Sequence, residues 1–311
     1  MAEKRLASFS EVWDCIPKTN PLPISVAAAQ DRNVLMAIKV ALQRDAILPY
    51  LIGNSSKIEA LIEEIGIPRD RVVVIPAQTD EQSAYLAAEL AQRGAVGCLM
   101  KGMINSSLFL KGVLHRDFHL RNGQLLSHLS IFEVPGFSRL LFLSDGGLNI
   151  HPNLAEKDSI LLNAIDFMRR LGIDTPKVAL LAANEQVNEK MPETLDAWQL
   201  SQRAQQGHFG SAVVEGPLPL DLAISKEAVA HKGITSKING EADLLFAPTI
   251  EVGNVLGKAI TYFGNGVMAG LVLGAKVPLI LTSRADSYDA KLASIAFARL
   301  AFSQLLMTER S

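Results

Sequence analysis

Near the C-terminus an apolar run, Val277 to Leu281, ends in Thr282-Ser283-Arg284, and two carboxylates, Asp286 and Asp289, follow. A hydroxyl, a guanidinium and two acids at the exit of a buried strand are the parts of an anion site with a proton acceptor. Arginine grips a phosphate or carboxylate through paired hydrogen bonds. A serine hydroxyl can donate to an oxyanion, and a carboxylate can serve as general base. The same residues have a plainer reading. Asp286 stands where the N-cap of the following helix belongs, and Asp289 then falls at N3, favoured by the helix dipole. Arg284 would in that case answer only Asp286 or Glu251. Three further apolar runs end in the same polar manner. "VGCLMKG" ends in Lys101-Gly102, with Asn105 and Ser106 behind it. "LLFLSD" ends in Asp145, then Gly146, Gly147 and Asn149. "LLFAPTIEVGN" ends in Glu251, Gly253 and Asn254, where backbone amides at a helix start suit an anion. Each alone is explained by a turn or a cap. Together they point to a shared site at strand carboxyl ends, where open α/β sheets bind ligands.

The elements that must carry these residues read as alternating strands and helices. Strands are predicted at 24–29, 48–53, 71–77, 96–102, 138–145, 177–183, 242–250 and 277–283. Most are continuously apolar, as strands covered on both faces are. Helices are predicted near 32–45, 55–66, 79–93, 154–171, 192–206, 251–263 and 287–307, and Thr79 with Gln82 reads as a capping box. This rhythm implies an α/β fold with mainly parallel sheets. The stretch 124–136 breaks it and is expected to pair antiparallel with 138–145. The segment 144–153 is the best place for a domain boundary.

The chain has 311 residues, 49% of them apolar and 20% charged, which suits one large or two ordinary domains with a sizeable core. Thirty basic against 32 acidic residues leave a net charge of −2, so no global field favours nucleic acid or a membrane surface. Cys15 and Cys98 are too few and too far apart for a disulfide framework or a zinc site. The N-terminus has no apolar leader, and the run Val267 to Ala275 is too short to span a bilayer, so a cytoplasmic protein is expected.

Three motifs invite functions that their contexts oppose. "GNGVMA" (264–269) has the spacing of a dinucleotide fingerprint, but it follows a helical pattern and reads better as a helix C-cap and turn. "GNVLGKA" (253–259) is one residue short of a phosphate-binding loop and lacks the hydroxyl after Lys258. "HRDFH" places His115 and His119 four apart, yet Arg116 and Arg121 crowd them and no third ligand is spaced for a metal. No G-x-S-x-G elbow is present.

Over nearly its whole length the chain resembles the phosphate acetyltransferase/butyryltransferase family. The resemblance rests on "CLMKGMINSSLFLKGVL", "LLSHLSIFEVPG", "LFLSDGGLNIHP", "FAPTIEVGNVLGKAI" and "PLILTSRADSYDAKLASIA", and it is nearest to the butyryl-transferring members. It implies two α/β domains with a cleft between them, similar to the isocitrate and isopropylmalate dehydrogenases, in a homodimer or higher homo-oligomer. It further implies that the C-terminal helix returns to the first domain, which with the 144–153 boundary gives one domain of 1–144 with 285–311 and another of 145–284. It also implies exchange of a short-chain acyl group between coenzyme A and inorganic phosphate by direct ternary-complex transfer. Coenzyme A is then a substrate, and no tightly bound cofactor or metal is required. On this resemblance Arg284 holds phosphate, Ser283 donates to the thiolate or oxyanion, and the general base is an Asp six residues beyond the arginine. That position here is Ala290, so Asp289 is the nearest substitute and Asp286 the second. Lys101, Ser127 and His128 would line the acyl phosphate side. Asp145 and Asn149 would orient polar groups or brace their loop, and Glu251, Gly253, Asn254 and Asp286 complete the substrate-binding set. The competing readings are a phosphate acetyltransferase, a metal- and NAD-dependent dehydrogenase of similar fold, and a non-catalytic coenzyme A binder.

Overall fold

A computed structural model describes residues 5–121, 123–284 and 286–308, with 303–308 as backbone only. The predicted boundary at 285 and the last residues, 309–311, touch positions outside those described. In chain order the elements are α1 (Phe9–Asp14), β1 (Leu22–Ala27), α2 (Arg32–Gln43), β2 (Ile47–Gly53), α3 (Ser55–Ile65), β3 (Val73–Pro76), α4 (Asp80–Gln92), β4 (Cys98–Lys101) and α5 (Ser106–Val113). Then come β5 (Ser127–Glu133), β6 (Leu141–Ser144), α6 (Leu154–Arg170), β7 (Lys177–Leu181), α7 (Pro192–Gln205), β8 (Val213–Leu218), α8 (Leu220–Ile224) and α9 (Lys226–Lys232). The chain closes with β9 (Leu244–Phe246), α10 (Ile250–Tyr262), β10 (Val267–Leu273), β11 (Leu279–Ile280) and α11 (Tyr288–Thr308).

The chain forms two compact units. One is Phe9–Gln124 with the chain from Ala269 onward; the other is Leu125–Met268 with the N-terminal segment through Ser8. In the first, the strand order is β3-β2-β1-β4-β11-β10. The pairs from β3 to β11 are parallel, and β10 runs antiparallel to β11. β1 and β4 are buried along almost their entire length, which explains their unbroken apolar runs. The chain steps outward from β1 to β2 and β3, then returns to place β4 on the other side of β1. This reversal is the topological switch point at which open sheets bind ligands. Helix α11 packs on α2. Phe297 meets Phe9 edge-on at 5.6 Å, and Arg299 donates to the carbonyls of Pro17 and Thr19 at 3.0 and 2.7 Å.

In the second unit the order is β5-β6-β9-β7-β8, with β5–β6 antiparallel and the remaining pairs parallel. Its core joins Phe132, Leu143, Ala179, Leu222 and Leu245. Asn153 and Glu156 form a reciprocal capping box at the start of α6.

The expected α/β class with mainly parallel strands is what the structure has, and 124–136 pairs antiparallel with the next strand as expected. The compact units divide elsewhere than at 144 and 285. The β5–β6 ladder keeps 127–144 with the second unit, and the pairing of β11 with β4 keeps 279–280 with the first. β8 and β10 are additional strands. Gly216-Pro217 interrupts the strand pattern of β8, and β10 begins directly after the Gly264–Gly266 turn, where Asn265 has φ 51°. "GNVLGKA" lies inside α10. His115 and His119 flank a short 3-10 turn, Arg116–Phe118, so they do not share an α-helical face. At Thr79 the side chain caps Gln82 N–H, but the Gln82 side chain reaches Gln78 N–H rather than that of Thr79.

One close approach in the second unit is specific enough to test. A Cβ on Gly253 would fall 2.4 Å from the Asp145 carbonyl oxygen and 2.8 Å from Gly146 Cα, both backbone atoms. Gly253→Ala is expected to lower unfolding stability by about 1–3 kcal/mol, as overpacking does. An unchanged midpoint in chemical denaturation would show that α10 can withdraw from this loop.

Candidate active site

In the first unit the carboxyl ends of three neighbouring parallel strands, β1, β4 and β11, come together. Ala27 pairs in register with Lys101, and Met100 with Ile280. The backbones run so close that a Cβ on Gly102 would lie 2.3 Å from the Ala28 carbonyl oxygen. Gly102 N–H and Met103 N–H bond to the carbonyls of Ala27 and Ala28 at 2.8 and 2.9 Å. Lys101 is only 2% exposed. Its Nζ donates to the carbonyls of Ile104 and Gly102 at 3.2 and 3.4 Å. Burial pushes its pKa down to about 8, helped by the charges of Arg284 and Lys291 and opposed by Asp286 and Asp31.

The Ser283–Asp286 loop follows β11. Ser283 N–H donates to Asp286 Oδ2 at 2.7 Å, and Asp286 N–H donates back to the Ser283 carbonyl at 3.2 Å. Lys291, 2% exposed, donates from Nζ to the Asp286 carbonyl at 2.6 Å and the Ser283 carbonyl at 3.3 Å. Burial lowers its pKa, against the pull of Asp286 and Asp31. Ser283, Arg284 and Asp289 are exposed. Among the described residues no carboxylate lies within ion-pair distance of Lys101, Lys291 or Arg284. Helix α11 is capped by Ser287, whose Oγ accepts Ala290 N–H at 3.3 Å. The N-cap is therefore not Asp286, whose carboxylate closes the loop behind it, and Asp289 falls at N2 rather than N3.

The second unit holds the other predicted residues. Asp145 is 2% exposed and takes four hydrogen bonds. Gly147 N–H and Leu148 N–H reach Oδ1 at 2.8 and 2.9 Å; His128 N–H and Asn149 Nδ2 reach Oδ2 at 2.9 and 2.6 Å. Asn149 also donates to the Leu126 carbonyl at 2.8 Å. Asp145 and Asn149 thus brace their loop. The Ser144–Asp145 peptide is cis. Ser127 is buried and accepts from Asn163 at 3.0 Å, and Ser130 Oγ lies 3.4 Å from His128 Nδ1. The His128 ring is backed by Gly147, where a Cβ would fall 2.9 Å from the ring. Asn254 donates to the Gly146 carbonyl at 3.1 Å. Glu251 is exposed, with His151 at 3.5 Å, and bonds to its own N–H and to Thr249 hold its carboxyl below the usual range. Beside it an apolar cavity of about 700 Å³ is lined by Leu181, Met191, Leu220, Pro248, Val252 and Val255, among others.

Two residues escaped the sequence reading. Lys291 is one, although it and Arg299 are the only charges in the mostly apolar stretch from Ala290 to Phe302. Asp31 is the other: it caps α2 by accepting Val34 N–H at 2.8 Å while facing both lysines electrostatically. Cys98 is fully buried, and burial holds its thiol far above the ordinary range, so it is no nucleophile. Among the described residues no group of three or more His, Cys, Asp or Glu is placed to hold a metal ion. No helix among them is long and apolar enough to cross a membrane.

Comparison with known proteins identifies this architecture. The chain is 38% identical over 295 residues to the phosphate butyryltransferase of Clostridium acetobutylicum, covering 95% of this chain and 98% of that one. It is 38% identical over 285 residues to the phosphate acetyltransferase of Rickettsia typhi, covering 91% and 82%. The structure superposes on a branched-chain phosphotransacylase from Enterococcus faecalis with TM-score 0.79 and 35% identity, covering 90% of this chain and 99% of that one. A 4-hydroxythreonine-4-phosphate dehydrogenase from Klebsiella pneumoniae shares the fold alone, with TM-score 0.55 at 15% identity. Residues 77–299 match the family described as phosphate acetyl/butaryl transferase. The chain is a member of this phosphate acetyl/butyryltransferase family, and an acyltransferase.

Proposed function

We propose that this acyltransferase exchanges a short acyl chain, butyryl in preference to acetyl, between coenzyme A and inorganic phosphate. The cationic cluster of Lys101, Lys291 and Arg284 at the switch point carries this reading. Lys101 and Lys291 are buried charges without carboxylate partners, which call for an anionic ligand, and phosphate is the anion this transfer requires. The butyryl preference is supported by the near end-to-end match with a phosphate butyryltransferase, and the branched-chain specificity in the name of the E. faecalis relative accords with a chain longer than acetyl.

In the mechanism we infer, Arg284 and Lys101 hold phosphate while one of its oxygens attacks the acyl carbonyl carbon. A C–O bond forms, the tetrahedral oxyanion collapses, and the C–S bond breaks to release the thiolate. Ser283 donates to the oxyanion or thiolate. In the reverse direction a carboxylate takes the thiol proton, and the thiolate attacks the acyl phosphate. Asp286 is committed to Ser283 N–H, so we assign this role to Asp289, exposed in the first turn of α11. Coenzyme A is a substrate on this reading, no cofactor need be resident, and the cytoplasm is the expected location.

We also propose that the protein is a homodimer paired through α10. Val252, Val255 and Tyr262 are exposed along this helix, Val255 by 66%, with Phe263 just beyond its end. Glu251 and Lys258 flank this face. An antiparallel pairing about Asn254 and Val255 sets Glu251 opposite Lys258 of a second copy. It also brings Tyr262 of that copy over Pro248, at the rim of the apolar cavity. Glu251 on this reading serves the interface rather than the anion site.

Free-thiol release from butyryl-CoA, without metal or NAD, should depend on phosphate. Release without phosphate dependence, or activity only with NAD and a divalent metal, would refute the assignment; coenzyme A binding without turnover would mark a binding protein. Arg284→Ala should raise the phosphate KM by at least tenfold, and Asp289→Asn should lower kcat about a hundredfold. Normal turnover in either variant removes that residue's role.

The Lys101 charge is present below pH 8 or so and is lost as pH rises through its pKa of about 8. Phosphate affinity should therefore fall above that pH, and Lys101→Arg, whose guanidinium stays charged, should carry the limb upward. An identical limb in both would assign the titration elsewhere. For the dimer, Val255→Asp should convert the sedimenting species from dimer to monomer; a dimeric variant would place the interface on another face.

A further inference from the structure

The loop that presents Arg284 is held at both ends by one ammonium group. Lys291 Nζ donates to the Asp286 carbonyl at 2.6 Å and to the Ser283 carbonyl at 3.3 Å, and the residue is almost wholly buried. These carbonyls do need donors, but a neutral amide or hydroxyl could satisfy them without the cost of burying a charge. The charge also acts on a neighbouring cation. Burial lowers the pKa of Lys101 first, and the charges of Arg284 and Lys291 lower it further. Only Asp286 and Asp31 oppose this, through space and without an ion pair. A cluster arranged this way is complete only when an anion joins it. Lys291 has three donors and spends two on the loop.

We propose that Lys291 is a positioning residue of the phosphate site, fixing the Ser283–Asp286 loop so that Arg284 is aimed at phosphate and adding a second buried charge beside Lys101. The inference rests on the phosphate acyltransferase reading above. It extends the site to a residue in the first turns of α11 that lies behind the loop rather than on it. It also accounts for the isolated lysine at the head of an apolar helix.

The test is steady-state kinetics on the full chain with inorganic phosphate and butyryl-CoA varied separately. Lys291→Met should raise the phosphate KM about tenfold or more, the effect of losing a charge-assisted contact, and leave the butyryl-CoA KM within twofold. In the double variant with Arg284→Ala, the phosphate KM should rise little beyond the Arg284→Ala value, because Lys291 acts largely through that arginine. A lysine that merely supports the fold would lower the unfolding temperature and leave the ratio of the two KM values unchanged, which overturns the proposal. A rise confined to butyryl-CoA also overturns it, since the cluster would then hold a phosphate of coenzyme A. Fully multiplicative effects in the double variant would overturn the positioning role. If Lys291→Met does not fold, Lys291→Gln, which keeps an N–H for the Asp286 carbonyl and lacks the charge, is read by the same two constants. An unchanged phosphate KM there refutes the proposal. Absence of phosphate-dependent turnover in the unsubstituted protein would refute the underlying function instead, so the two failures are distinguishable.

Discussion

Two lysine ammonium groups buried against backbone carbonyls set the terms for the carboxyl end of the first sheet. A buried charge must be hydrogen-bonded or it is prohibitively expensive. Lys101 and Lys291 meet that demand with the carbonyls of Gly102, Ile104, Ser283 and Asp286. Those carbonyls are consequently fixed, and so are the turns that carry them. The close approach of Gly102 to Ala28 and the reciprocal Ser283–Asp286 bonds serve the same end. The outcome is positive potential at the switch point, held on backbone that cannot easily relax around it, which is the preorganisation that transition-state charge stabilisation requires.

The carboxylate at the centre of the other unit's loop shows the contrasting arrangement. Asp145 is as buried as the two lysines, yet four protein donors fill its oxygens. It joins β5 to the Gly146–Asn149 turn and thereby fixes the position of His128. Burial alone therefore does not separate the two arrangements. Both Asp145 oxygens are filled by protein donors, whereas each lysine gives two of its three donors to protein carbonyls.

Much of this was legible from sequence. Strands covered on both faces leave continuous apolar runs, and the polar residues ending those runs lead directly to Lys101, Asp145 and Arg284. The antiparallel β5–β6 pair was visible because only a short turn separates two apolar segments. Less legible were features decided by a single local competition. Asp286 and Ser287 both suit an N-cap, and the loop's demand for a carboxylate on Ser283 N–H leaves the cap to Ser287. β8 is obscured by Gly216-Pro217. Lys291 reads as an ordinary solvated helix lysine until the packing of α11 buries it. Unit boundaries were hidden because strand pairing, not composition, decides which segments belong together.

The order in which the chain crosses between units bears on how the protein is made. Leu125–Met268 is one uninterrupted span, and it contains β5, β6, β7, β8 and β9 whole. It can acquire its core before the chain from Ala269 onward is synthesised. The other unit cannot, because β4 waits for β11 and α2 waits for α11, segments more than 170 residues downstream of β4 in the sequence. Pairings of such sequence separation form slowly and leave edges exposed meanwhile. The Ser283–Asp286 loop lies in this last-made segment. The protein therefore assembles its cluster of Lys101, Lys291 and Arg284 only when its final helix docks, so that a truncated or stalled chain would hold one folded unit and lack the charge cluster.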